Sequence, residues 1–146
     1  MSSQRSQGRR LALQVLYAYD LAGEKPATLE ELIAAAAPRA PEEVVSFART
    51  LAEGVLRLKA ELDRTLQVSL DHWKIDRVHP VERNILRMGV FELTYCPEIP
   101  ATVAVSEAVD LAKRFGDPEA WRLINGILDH IGKARLSPEP PSSASK

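Results

Sequence analysis

Apolar residues along this chain recur in threes and fours, the signature of helices with one buried face. From Arg9 to Ala22, the positions Leu11, Ala12, Val15, Leu16 and Tyr19 share one side of a helix, and Gly23 with Pro26 supplies its stop. Thr28 and Glu31 have capping-box spacing and predict a short second helix, through Leu32 to Ala37, closed by Pro38. Pro41 opens a third, in which Val44, Phe47, Leu51, Val55, Leu58, Leu62 and Leu66 draw one stripe along a single rod to about Leu66. The segment SLDHWKIDRVHP loses that stripe and predicts a short turn or helix before Pro80, a favoured first helical residue.

The next helix, PVERNILRMGVFEL, is apolar over most of its circumference. It must be surrounded, which places Ile85, Leu86, Met88, Val90 and Leu93 at the centre of the core. After CPEIP, Val105, Ala108, Val109 and Ala112 mark a sixth helix ending near Phe115 and Gly116. Asp117 and Pro118 then cap a seventh, with Trp121, Ile124, Ile127, Leu128 and Ile131 inward. No strand alternation and no fixed repeat occurs. The expected architecture is all-α, about seven helices in a single domain over residues 9–135, with a flexible basic arm at 1–8 and a disordered Pro/Ser tail at 136–146.

Composition narrows the function classes. At 146 residues and 45% hydrophobic, the chain can fill one core. Cys96 is the sole cysteine, which excludes an internal disulfide and a Cys-based zinc cluster and fits a reducing, cytoplasmic setting. The basic start followed by an apolar run resembles an export signal, yet Gln14 and Asp20 interrupt the run and no small-residue cleavage site follows. The reading is an uncleaved protein with no membrane association. His72, His79 and His130 lack ligand spacing, and no Gly-rich phosphate loop is present. No enzyme, no metal and no cofactor is expected. Glu107 and Asp110 with Lys113 and Arg114 read as a solvated ion-pair face.

Charge changes the picture at one place. The whole chain carries 19 Lys plus Arg against 20 Asp plus Glu, but Arg5, Arg9 and Arg10 come before the first acid, Asp20. Two readings fit: a solubilising cluster, or an arm that orders on RNA by neutralising phosphates and stacking on bases.

Four blocks in fixed order, RRLALQVLYAYDL, ERNILRMGVFEL, IPATVAVSEAVDLAKRFG and INGILD, resemble the NusB family of bacterial transcription antitermination factors. The resemblance spans the arm to about Asp129 and implies two packed helical bundles. It also implies an RNA-binding factor that pairs with NusE, a small-subunit ribosomal protein. The pair binds boxA RNA of ribosomal RNA operons, and RNA polymerase with other Nus factors then reads through terminators. By the same resemblance Arg5, Arg9, Arg10, Lys113, Arg114, Phe115 and Arg122 face RNA, whereas Tyr17, Glu82 and Arg87 face the partner. The arm is thin, with Ser6, Gln7 and Gly8 where relatives place more basic residues, and Ser106 stands where asparagine is common. Bland readings accompany these assignments: Phe115 plugging the bundle end, Trp121 in the core, Glu82 stabilising a helix dipole, and Arg87 in a local ion pair. The rivals at the level of function are a protein-binding adapter without RNA affinity, and the RNA-binding part of a ribosomal RNA methyltransferase, whose second half would be missing here.

Overall fold

The structure is a computed structural model and describes residues 3–22, 27–70 and 74–136, with the side chains of 135 and 136 excepted. Of the tail expected at 136–146, Leu136 is the last residue of a helix, and 137–146 lie outside the described residues. Among the described residues, seven α-helices and one short 3-10 turn (Ile75–Arg77) follow in order: α1 Gln4–Leu21, α2 Leu29–Ala36, α3 Glu42–Arg57, α4 Lys59–Leu70, α5 Pro80–Tyr95, α6 Ala101–Phe115 and α7 Ala120–Leu136. No strand occurs among the described residues.

Helix α5 is the axis. Every residue from Asn84 to Leu93 is buried, as its all-round apolar sequence requires. On one side α1 and α3 pack against it, with α2 laid on those two; on the other α4, α6 and α7 do so, which gives two bundles sharing one helix. Close approach is achieved with glycine. A Cβ on Gly54 of α3 would stand 2.2 Å from the Phe91 ring, and one on Gly89 of α5 would stand 2.5 Å from Leu128.

Three boundaries differ from the sequence expectation, the smallest at α7, which starts at Ala120 and not at the Asp117–Pro118 pair: a turn in which the Ala120 N–H donates to the Asp117 carbonyl at 3.0 Å comes first. Helix α1 begins at Gln4 and not at Arg9, because Ser3 caps it by accepting the Ser6 backbone N–H at 3.0 Å. Gly8, which weakens a helix by propensity, is here the residue that lets α1 lie on α3: a Cβ at this position would meet Phe47 at 2.9 Å. Residues 4–8 are thus the first turns of α1. The expected single rod from Pro41 to Leu66 is in fact two helices, α3 and α4, breaking at Leu58 (φ −106°, ψ 16°). Neither proline nor glycine stands at the break. The stripe stays continuous while its partner changes, since α3 packs mainly on α1 whereas α4 packs on α5. Thr28 and Glu31 form the expected capping box on α2, with both reciprocal bonds present.

Candidate nucleic-acid interface

The three arginines of the opening stretch lie on one helix and meet three environments. Arg5 is exposed, its guanidinium 4.8 Å from the Phe47 ring centre. Arg10 is half-buried and lines two neighbouring grooves. Arg9, expected to face RNA, turns inward and is only 2% exposed. Its Nε and Nη2 donate to both oxygens of Glu92 at 2.7–3.1 Å, and its Nη1 stands 3.6 Å from Glu107. Burial pushes the Glu92 carboxyl above its ordinary range, against the lowering effect of Arg9. Arg9 therefore ties α1 to α5, since a guanidinium this deep is tolerable only when its fork is matched by a carboxylate.

Glu107 differs from its expected place too. It accepts a hydrogen bond from the Ser6 hydroxyl at 2.8 Å, so its contacts cross to α1 and do not run along its own helix to Lys113 or Arg114. Next to this junction Ser6, Arg10, Asp110, Lys113 and Arg114 line an open groove between α1 and α6. Lys113 and Arg114 occupy the last turn of α6, where cations also favour the helix dipole.

The corner between α6 and α7 carries the aromatic groups. Phe115 is 48% exposed and does not plug the bundle end; Arg114 lies 5.9 Å from its ring. Trp121 is half-buried against the core, as its stripe predicts, but its ring also receives Lys113 Nζ and the Arg122 guanidinium, each at 4.7 Å. Arg122 is exposed and pairs with Glu119 at 2.7 Å. The corner is fixed from within by Glu82. That carboxylate, expected to face the partner or to serve the helix dipole, is 5% exposed and accepts the backbone N–H of Asp117 at 2.8 Å. It sits so close to the turn that a Cβ on Gly116 would approach its Oε2 to 2.6 Å.

Arg87 is likewise buried, and its forked pair is with Asp63 of α4 (2.7 and 2.9 Å), the local ion pair of its two readings but with an acid from another helix. Of the residues expected at a partner surface only Tyr17 is partly open. It lines a groove of about 470 Å³ with Arg10, Leu13, Gln14, Val81 and Phe115, so residues from the RNA set and the partner set meet in one place. Sequence reasoning missed Phe47, because an aromatic within an apolar stripe carries no sign that a cation will lie over it. Among the described residues no cluster of three or more His, Cys, Asp or Glu could hold a metal, and no helix is long and apolar enough to cross a membrane.

The exposed ring of Phe115 and the half-buried ring of Trp121, each with cations beside it, are groups of the kind that can meet a polyanion with stackable bases. The chain belongs to the NusB family, whose family model matches residues 6–133. It is 39% identical to the transcription antitermination protein NusB of Myxococcus xanthus, over 92% of this chain and 98% of that one. Its fold is similar to that of NusB from T. maritima (TM-score 0.82, 25% identity, 94% and 100% of the two chains). A chain in a crystal structure of the antitermination factors NusB and NusE with double-stranded RNA is also similar (TM-score 0.79, 33% identity, 92% and 99%).

Proposed function

We propose that this chain is an RNA-binding transcription antitermination factor that pairs with NusE and binds boxA RNA of ribosomal RNA operons, promoting read-through by RNA polymerase carrying other Nus factors. It works by assembly in the cytoplasm, not by catalysis. The observation that supports this reading is the α6–α7 corner, where Lys113, Arg114, Phe115 and Arg122 are all exposed, with Arg10 across the groove from Lys113 and Arg114: side chains suited to phosphates and bases, in a chain of this family. Arg5 extends the set along α1, whereas Arg9 serves it indirectly by seating that helix on α5.

Tyr17 supports pairing with NusE from the same groove. Glu82 and Arg87 serve that surface from inside, by fixing the start of α5 to the α6–α7 turn and the middle of α5 to α4. The test is co-purification of NusE with the tagged chain, followed by titration of boxA RNA with and without NusE. Stable pairing and tighter RNA binding by the pair are expected. Failure of both would overturn the reading; pairing without RNA affinity would favour the adapter.

A further inference from the structure

Trp121 has a place that the RNA-facing set leaves unused. It stands on the first turn of α7, half-buried and packed against the core, and cations from two helices lie over its ring: Lys113 Nζ from α6 and the Arg122 guanidinium from α7, each 4.7 Å from the ring centre. Two like charges on separate, flexible stems repel one another and would spread into solvent. An indole, whose ring face carries negative quadrupole density, offsets that repulsion and holds both stems within 4.7 Å of its ring centre. Arg122 is held from a second side by Glu119 at 2.7 Å, while Lys113 has only the ring among the described contacts.

We infer that Trp121 is a positioning residue for RNA phosphate binding, which gathers Lys113 and Arg122 into one preformed anion-binding station at the α6–α7 corner; this rests on the RNA-binding reading above. Preformation matters because a phosphate arriving at two freely moving cations must order both, whereas here the ring has already done so. Lys113 depends on the ring more than Arg122 does, since Arg122 keeps Glu119.

The experiment measures binding of a single-stranded boxA RNA oligonucleotide to the full chain across a salt series, for wild type, Trp121→Leu, Trp121→Phe, Lys113→Ala/Arg122→Ala, and that double variant combined with Trp121→Leu, with melting curves for each. Trp121→Leu is expected to weaken binding roughly five- to thirtyfold, the fold-change that two cation–ring contacts of the surface kind amount to. Trp121→Phe, which keeps a ring, should retain most of the affinity. In the double-variant background Trp121→Leu should change nothing further, a result that a merely structural loss would not give. An equal loss in both backgrounds, or no loss in wild type while the double variant binds weakly, overturns the role of Trp121 alone. A double variant that binds as tightly as wild type removes the corner from the RNA surface and overturns the inference together with that part of the functional reading.

Discussion

Arg5, Arg9 and Arg10 look interchangeable in the sequence, and what separates them is a carboxylate 83 positions away. Glu92 reaches Arg9 from the buried face of α5, so this arginine belongs to the interior while its neighbours line the surface. Local pattern cannot supply that information, because the helical repeat fixes which side of α1 a residue takes but not what the other helix presents there. Replacing Arg9 by alanine leaves a buried carboxylate unpaired and is expected to cost about 3–5 kcal/mol at neutral pH, measured by denaturant unfolding. Arg9→Met with Glu92→Leu should recover most of it. The single variant carries a pH signature: burial holds the Glu92 carboxyl above its ordinary 4.5, and without Arg9 the folded state keeps that proton more tightly still. The stability deficit is therefore smallest below about pH 4.5 and grows as pH rises through the folded value toward neutrality. Replacing Arg5 and Arg10 by alanine leaves Arg9 seated, so the fold should hold while the slope of log RNA affinity against log salt flattens by roughly 1.4, about 0.7 for each lost single-strand phosphate contact.

Among the helices, those with strong periodicity and clear punctuation were legible: α2 with its capping box, α5 behind Pro80, and α6 and α7 with their inward stripes. The α3–α4 break was not. Its apolar stripe runs through Leu58 unchanged, and the reason for the break lies in a change of packing partner that leaves no residue-level mark. Glu82 was misplaced for a related reason. A carboxylate on a first turn after proline is usually solvated, and only the return of the α6–α7 turn encloses it. This alters what its substitution reports. Glu82→Ala leaves the Asp117 backbone N–H without its acceptor and is expected to cost about 1–3 kcal/mol and to weaken RNA binding even without the partner, whereas Glu82→Gln, which keeps an acceptor oxygen, should be milder on both counts. Calorimetric melting with RNA titration checks the pair. A drop in partner affinity alone, with melting and RNA binding unchanged, would place Glu82 at the partner surface instead.

On the scale of the whole molecule, the two bundles share α5 and have no separate cores, since the buried residues form one connected cluster from Leu11 to Leu128. The all-helical class and its central helix were readable from pattern alone. The binding surface was readable only in part, because exposed cations such as Lys113 and Arg122 show themselves in the sequence, whereas the rings that hold them do not. One consequence follows from the enclosure of α5. Amide protons from Ile85 to Val90 sit where no local opening of a single neighbour reaches them from every side, so in deuterated solvent they should be the last to exchange, at a rate set by global unfolding, while the ends of α1 and α7 exchange far sooner. The slowest clock in the protein would then read the stability of both bundles at once.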